Sequence, residues 1–224
     1  NGKLYYHYYN DIREVNLIAC TDEIDLHSDG SILDYFWKDA TTIYYAWSYN
    51  DWDDDANDKD ILVSYNTTTG TGTDIYQFNP LYQTEMSFKN VNGKVIFYAE
   101  YADDKQLWST DGTQAGTIQL TSFATSGAVT QYGLVHNNKI YIDAILSPND
   151  PDIRGYEVFV SDGTVAGTYS LYSATTPFNY PRDLQVYNNE VYFSATDNYG
   201  TYQIYHTDGS INGTSKIPNT QFSG

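Results

Sequence analysis

Short apolar and aromatic runs, separated by turns rich in glycine, asparagine and aspartate, follow one another along the chain. Around the middle, Ser87 to Val91 precedes Asn92-Gly93, the residue pair that a two-residue type I′ hairpin turn prefers. Lys94 to Glu100 is rich in β-branched and aromatic residues, and Lys105 to Thr110 and Thr117 to Leu120 are two further runs. No long apolar period of about 3.6 residues appears. The sequence therefore predicts an all-β protein of short antiparallel strands.

Two sequence markers recur in alternation. The segment LWSTDGTQAGT at 107–117 returns as VFVSDGTVAGT at 158–168 and IYHTDGSINGT at 204–214, with weaker copies at 61–68 and 18–22. The second marker is a polar turn followed by an aromatic strand, and its copies lie at 1–6, 41–46, 92–99, 137–144 and 188–195. Such alternation predicts five repeats of one supersecondary unit that pack against one another.

Four-stranded units of about 40–50 residues that repeat in this way are typical of β-propeller blades. The predicted fold is a five-bladed β-propeller of four-stranded antiparallel blades, in a single domain spanning residues 1–224. The predicted blades are residues 1–30 with 220–224, 31–79, 80–123, 124–175 and 176–219.

The two ends of the chain predict how the ring closes. The first blade begins at its Asn1-Gly2 turn, so Gln221 to Gly224 is expected to supply its missing strand beside Lys3 to Tyr8. A ring joined in this way has no exposed edge strands. The alternative is a segment of a longer repeat protein, which the absence of an initial Met also allows.

The recurring Asp-Gly pairs are interpreted as structural turns, because Gly adopts positive φ and the Asp side chain accepts hydrogen bonds from amides just ahead of it. The predicted turn residues are Asp111, Gly112, Asp162, Gly163, Asp208 and Gly209. Recurrence on one side of aligned strands also predicts buried positions, and these are Leu107, Val158 and Ile204, with Phe97, Ile142 and Phe193.

The segment from Leu107 to Thr117 resembles the repeat of bacterial proteins known as ELWxxDGT or hyalin-like repeat proteins. Gln106 stands at the position of that family's Glu, which Glu157 retains. The resemblance implies a propeller-like array in a secreted or cell-surface protein, and it assigns no catalytic residue. The same turn is similar to the Asp-box of sialidase propellers, which is also structural.

Composition narrows the choice of partners. The formal net charge is −18 and the pI about 4.2, which argues against nucleic acid and anionic membranes, since both need a basic surface. No apolar run approaches the roughly 20 residues of a membrane span, so membrane insertion is not expected. Cys20 is the single cysteine and cannot form an internal disulfide. Other surface or extracellular proteins, or glycans, are the expected partners.

The loop of the second predicted blade has a pattern that predicts calcium binding. Oxygen ligands alternate at Asp51, Asp53, Asp55 and Asn57, with Asp60 as a further candidate, as in the first half of an EF-hand loop. The pattern departs from an EF-hand, because Ala replaces the turn Gly at position 56 and Leu occupies the Glu position at 62. A solvated acidic loop is therefore the alternative. A weaker candidate site is Asn149, Asp150 and Asp152.

Motifs for catalysis are absent from the sequence. The four histidines are scattered, and neither a Gly-rich phosphate loop nor a Gly-x-Ser-x-Gly elbow is present. The chain is therefore predicted not to be an enzyme but an extracellular module of surface assembly or adhesion, stabilised by calcium. One alternative is a five-bladed lectin that stacks Trp or some of its 24 Tyr residues on sugars, although Trp108 is matched by Phe159 and Tyr205. A glycan-active hydrolase is the other alternative.

Overall fold

The computed structural model describes residues 3–8, 11–16, 21–25, 31–49, 59–78, 87–101, 104–123, 128–129, 133–145, 156–173, 175–196 and 201–223. The regular elements of these residues are β-strands. The chain divides into two compact units. Unit one comprises residues 1–86 with 112–114, and unit two comprises 87–111 with 115–224.

Unit one contains two antiparallel sheets. A three-stranded sheet has the order β1-β2-β3, and a four-stranded sheet has the order β4-β5-β6-β7. Their strands are β1 (Lys3–Tyr8), β2 (Asp11–Asn16), β3 (Thr21–Asp25), β4 (Ser31–Trp37), β5 (Thr42–Tyr49), β6 (Lys59–Asn66) and β7 (Thr71–Phe78). In the four-stranded sheet, Ile43, Tyr45 and Val63 belong to one buried cluster, as the alternation of side chains across a strand requires.

Apart from residues 80–86 and 112–114, unit two carries the three best-preserved repeats, which we call repeats three (80–123), four (124–175) and five (176–219). Repeats three and four share a nine-stranded sheet, and repeat five forms a five-stranded sheet. The strands are β8 (Lys89–Val91), β9 (Lys94–Tyr101), β10 (Asp104–Thr110), β11 (Ile118–Gln119), β12 (Ala128–Val129), β13 (Leu134–His136), β14 (Lys139–Ile145), β15 (Tyr156–Ser161), β16 (Tyr169–Ser170), β17 (Asn179–Tyr187), β18 (Glu190–Thr196), β19 (Thr201–Thr207), β20 (Ser215–Lys216) and β21 (Phe222–Ser223).

Repeat three confirms the strand pattern expected from its sequence. The four predicted runs correspond to β8, β9, β10 and β11, which pair in that order and antiparallel. The hairpin between β8 and β9 turns at Asn92 and Gly93, with φ of 53° and 79°. Two positive φ values in succession are those of a type I′ turn, whose twist matches that of the flanking strands.

The C-terminal strand β21 pairs with β19, through Tyr202 with Phe222 and Thr201 with Ser223. This partner differs from the one predicted from the sequence, which placed Gln221 to Gly224 beside β1. The pairing with β19 is local in sequence, since a short connection returns the chain from β20 to the first residues of β19.

Five of the six positions predicted to be buried are inaccessible to solvent: Leu107, Val158, Phe97, Ile142 and Phe193 are at most 1% exposed. The prediction is wrong for Ile204, which is partly exposed. In repeats three and four this face meets the next repeat, whereas the described part of unit two contains no repeat after the fifth. Ile204 therefore keeps part of its accessible surface.

Within the described residues, no helix is both long and apolar enough to cross a membrane.

Candidate functional site

The Asp-Gly turn of repeat four is built from its own side chains. Asp162 Oδ1 accepts hydrogen bonds from the amide of Thr164 at 2.9 Å and from its hydroxyl at 2.7 Å. Thr164 Oγ1 in turn accepts from the amide of Gly167 at 2.9 Å, and the Thr168 hydroxyl donates to the Thr164 carbonyl at 2.7 Å. Gly163 has a φ of 85°, a backbone conformation that residues other than glycine rarely adopt. Asp162, Gly163, Thr164, Gly167 and Thr168 thus each contribute to the geometry of the turn.

Repeat five builds the same turn with Ser in place of Thr. Asp208 Oδ1 accepts from the Ser210 amide at 2.8 Å and from the Ser210 hydroxyl at 2.7 Å. The Ser210 hydroxyl, followed by its amide, lowers the pKa of the Asp208 carboxyl below its ordinary value. A Cβ atom added at Gly213 would collide with the Asp208 carboxylate, which explains the second glycine of the motif.

The turns also join neighbouring repeats. Lys94 of repeat three donates from Nζ to the carbonyl oxygen of Gly163 in repeat four at 2.9 Å, and the Ser109 hydroxyl donates to the same oxygen at 3.0 Å. One repeat later, Lys139 Nζ donates to the carbonyl oxygen of Gly209 at 3.1 Å. A lysine at the start of the second strand therefore holds the Asp-Gly turn of the next repeat.

Repeat five departs from this arrangement at three positions on one face. Glu190 replaces the lysine, His206 takes the position of a small or apolar residue, and Ser215 takes that of a larger one. The counterparts in repeats three and four are Lys94 and Lys139 for Glu190, Ser109 and Val160 for His206, and Ile118 and Tyr169 for Ser215.

The three replacements meet in one hydrogen-bonded row. His206 Nδ1 lies 2.8 Å from Glu190 Oε2, and His206 Nε2 lies 2.7 Å from Ser215 Oγ. The residues are brought together by the sheet, because β18, β19 and β20 are neighbours and His206 pairs directly with Ser215. Side chains opposite each other in an antiparallel pair are within contact distance.

Aromatic rings extend this row across the sheet. The Tyr192 ring stacks on the His206 ring with centroids 5.8 Å apart, and the Tyr187 ring meets Tyr192 edge-on at 5.8 Å. The Tyr192 hydroxyl donates to Glu190 Oε2 at 3.4 Å. Partial burial, and then the Glu190 charge, raises the pKa of Tyr192, so its phenol keeps its proton. Tyr187 is 64% exposed and presents a free apolar surface.

Most of the residues predicted to bind calcium lie outside the described residues. These are Asp51, Asp53, Asp55 and Asn57 of the first candidate site and Asn149, Asp150 and Asp152 of the second. Asp60 is described: it belongs to β6, pairs with Ser48 and Phe78, and is 2% exposed. Among the described residues, no group of three or more His, Cys, Asp or Glu side chains is placed to hold a metal ion.

Comparison with known proteins supports the fold. The sequence matches no family model and no curated protein. The structure is similar to a putative dipeptidyl aminopeptidase IV from Bacteroides ovatus, with a TM-score of 0.62 and 12% identity over 95% of this chain and 33% of that one. It is similar to Porphyromonas gingivalis dipeptidyl peptidase 4, with a TM-score of 0.60 and 8% identity over 98% and 38% of the two chains.

A third similar structure is an oligogalacturonate lyase in complex with manganese, with a TM-score of 0.56 and 13% identity over 98% of this chain and 62% of that one. This chain therefore spans about a third of the two peptidases and less than two thirds of the lyase. These proteins are β-propeller proteins, and at such identities the likeness shows the fold alone. The chain has an all-β, propeller-type fold built from antiparallel sheets.

The comparisons correct one prediction. The lack of a catalytic motif in the sequence predicted that the chain is not an enzyme. That prediction is wrong, because the chain is similar over almost its whole length to parts of a lyase and of two peptidases. Motif searches read residues that are adjacent in sequence, whereas a propeller brings together side chains from different strands.

Residues of the row in repeat five carry a signal in the sequence. His206 lies within the LWSTDGT-like marker, and Glu190, His206 and Ser215 all differ from their counterparts in repeats three and four. This comparison between repeats marks the three positions, and the sheet register shows that their side chains meet.

Proposed function

We propose that this chain is a propeller module of a secreted or cell-surface protein that acts in surface assembly or adhesion, binding other extracellular proteins or glycans. The observation that carries the proposal is the hydrogen bonding of the recurring turns, seen at Gly163 and Gly209. Their carbonyl oxygens bind the preceding repeat, so the repeated motif serves the scaffold and leaves other surfaces for partners. The net charge of −18 and the resemblance to ELWxxDGT repeat proteins support an extracellular role.

We further propose that the module is a closed ring of five blades. Support comes from a register that recurs where one repeat meets the next. Ala128 pairs both with Lys105 of repeat three and with Ile145 of repeat four. At the following junction, Asn179 accepts a hydrogen bond from the amide of Tyr156 at 3.2 Å and pairs with Thr196.

The C-terminal strand meets repeat five at the corresponding position. Tyr202 occupies the repeat position of Lys105, and Phe222 pairs with Tyr202, although β21 runs antiparallel to β19 whereas Ala128 pairs in parallel with β10. We propose that Gln221 to Gly224 also lies beside Lys3 to Tyr8 of β1. The pairing of β21 with β19 is then one side of the closure, and the proposed pairing with β1 is the other.

A calcium site in the loop of the second repeat is part of the proposal. Asp51, Asp53, Asp55 and Asn57 supply alternating hard oxygens, and so many carboxylates repel one another unless a cation lies among them. Asp60 is buried in β6 at the end of this loop and is the fifth candidate ligand. Asn149, Asp150 and Asp152 form the weaker candidate.

A glycan array in calcium and in chelator, together with sedimentation analysis of self-association, tests the proposed role. Glycan binding in calcium that chelator abolishes supports calcium-dependent adhesion. Self-association without glycan binding supports surface assembly. A chain that binds no glycan and stays monomeric in both conditions contradicts the proposal.

A lectin is the second candidate, and the exposed ring of Tyr187 favours it, because sugars stack on such surfaces. Glycan binding that is unchanged by chelator, and that Tyr187→Ala abolishes, supports the lectin over calcium-dependent adhesion. Tyr35→Phe is the control, since it keeps its ring and removes only a hydroxyl in unit one.

A glycan-active enzyme is the third candidate, favoured by the likeness to the oligogalacturonate lyase. The acidic charge of this chain repels an anionic polymer, which ranks this candidate below the others. Incubation with oligogalacturonate and manganese, followed by chromatography, tests it. Shorter oligogalacturonates that form only when the protein is present would support the enzyme. An unchanged substrate would exclude this candidate.

A further inference from the structure

The row on repeat five has the order of a nucleophile, a base and an orienting acid. Ser215 Oγ is 2.7 Å from His206 Nε2, and His206 Nδ1 is 2.8 Å from Glu190 Oε2. An imidazole between a hydroxyl and a carboxylate, one on each ring nitrogen, is the arrangement that activates a serine for attack on a carbonyl carbon. We propose that Glu190, His206 and Ser215 form an acyl-transfer site with Ser215 as the nucleophile.

The carboxylate determines which nitrogen is the base. In the tautomer whose Nδ1–H donates to the Glu190 carboxylate, the imidazole presents the lone pair of Nε2 to the Ser215 hydroxyl. The ring is also held by stacking on Tyr192. Glu190 is thus a positioning residue, and His206 and Ser215 are the groups that meet the substrate.

The replacements relative to the other repeats support a function at this place. Repeats three and four have at this position a lysine that donates to the next turn, as Lys94 and Lys139 do. Repeat five instead introduces an acid, an imidazole and a hydroxyl at positions that touch one another. A single substitution would not produce the row, since each hydrogen bond needs two of the three changes.

The nucleophile can be reached by a substrate. Ser215 is exposed, and the side chains of His206 and Glu190 are 29% and 36% exposed. Ile118 and Tyr169, which take the position of Ser215 in repeats three and four, stay partly exposed although the next repeat contacts those faces. The hydroxyl therefore remains accessible in a closed ring as well.

The surroundings indicate the substrate class. Tyr187 and Tyr192 continue the row as an aromatic surface that packs against a flat apolar group. The strongly acidic chain disfavours anions. The fitting substrate is an uncharged carboxylic ester whose alcohol has a flat face, which both aryl esters and acylated sugars provide.

The chemical step balances within these groups. Ser215 Oγ bonds to the carbonyl carbon of the ester while its proton moves to His206 Nε2. The bond from that carbon to the alcohol oxygen then breaks, and the alcohol leaves with the proton from Nε2. Water repeats the sequence on the acyl-serine, releasing the carboxylic acid and restoring the hydroxyl. Solvent meets the carbonyl oxygen at this exposed serine, so turnover is expected to be slow.

A fluorophosphonate probe followed by peptide mass spectrometry, with 4-nitrophenyl acetate hydrolysis in parallel, tests the proposal. The label is expected on Ser215 and on no other serine, and Ser215→Ala should abolish both label and hydrolysis. His206→Ala should slow labelling about 100-fold, and added imidazole should restore part of the rate. Ser170→Ala is the matched control, because Ser170 lies on β16 and donates to Glu157 with no histidine between them.

Further variants and substrates sharpen the test. Glu190→Gln should slow labelling and Glu190→Asp should recover part of the rate, which a structural role alone would not require. Acetate release from acetylated sugars but not from aryl esters identifies acylated sugars as the substrate class. The reverse result identifies aryl esters as the substrate class. Absence of label from Ser215, or hydrolysis of both ester classes that is the same in the parent and in Ser215→Ala, overturns the proposal. The glycan-binding results are independent of this outcome.

Discussion

Lys139 donates a hydrogen bond from Nζ to the backbone carbonyl oxygen of Gly209, 3.1 Å away and one repeat further along the chain. The Tyr169 hydroxyl donates to the same oxygen at 2.7 Å. Two side chains of one repeat thus bind the turn of the next, and Lys94 and Gly163 repeat the relationship. Packing between repeats therefore depends on polar contacts at the turns as well as on the apolar cores of the sheets.

Replacing this lysine should weaken the junction between repeats four and five. Lys139→Met is expected to lower the free energy of unfolding by about 1 kcal/mol, because Tyr169 still satisfies the carbonyl oxygen. Urea unfolding measures the loss. Lys59→Met is the control, since Lys59 is exposed on β6 and its change should be close to neutral. Equal effects of the two substitutions would contradict the assigned role.

The second glycine of the motif should not tolerate a side chain. Gly213→Ala is expected to destabilise the protein by about 1–3 kcal/mol, because the new Cβ meets the Asp208 carboxylate. Gly72→Ala should be nearly neutral, since the nearest atom to its Cβ, on Val63, is 3.5 Å away. Thermal unfolding of both variants checks the comparison, and a neutral Gly213→Ala would show that the turn has room.

Stability should fall in acid through the carboxylates of the turns. The Ser210 hydroxyl and amide lower the pKa of Asp208, and the amide of Thr41 lowers that of Asp39. A lowered folded-state pKa stabilises the protein above the ordinary value, and this contribution is lost as the pH falls through the lowered pKa. Unfolding measured between about pH 5 and pH 2 should therefore show a smaller decline in Asp208→Asn than in the parent. Parallel curves would contradict the assignment.

Calcium should raise the melting temperature of the parent chain. The ion binds the folded loop and not the unfolded chain, so mass action favours the folded state. Calorimetry in calcium and in chelator measures the difference, and Asp53→Ala should reduce it. Asp183→Ala, an exposed aspartate of β17, is the control. Identical melting curves under all conditions would leave the solvated-loop interpretation.

Ring closure predicts one specific cross-link. In a Cys20→Ser background, Tyr8→Cys with Ser223→Cys should form an intramolecular disulfide on mild oxidation, because residues opposite each other in adjacent strands have Cα atoms about 4.5–5.5 Å apart. Non-reducing electrophoresis detects the faster-migrating chain. Tyr8→Cys with Lys216→Cys should not form it. If the chain with Tyr8→Cys and Ser223→Cys forms disulfides between molecules and none within one molecule, ring closure is contradicted.

The local features of this fold could be predicted from the sequence alone. Asn92-Gly93 and the Asp162-Gly163 and Asp208-Gly209 turns are decided by neighbouring residues, because positive φ and short-range side-chain hydrogen bonds act within a few positions. The strands follow from apolar runs between these turns, and the repeat follows from their recurrence. The buried positions Phe97 and Phe193 were predictable for the same reason.

Tertiary structure decided what lies between strands and at the end of the array. Ile204 matches Leu107 and Val158 in sequence but is partly exposed, because its burial depends on what covers the face of the last repeat. The row of Glu190, His206 and Ser215 forms only when three strands align, since its members are separated along the chain and meet through the sheet register. Side-chain chemistry of this kind depends on distant neighbours, which local sequence preferences do not specify.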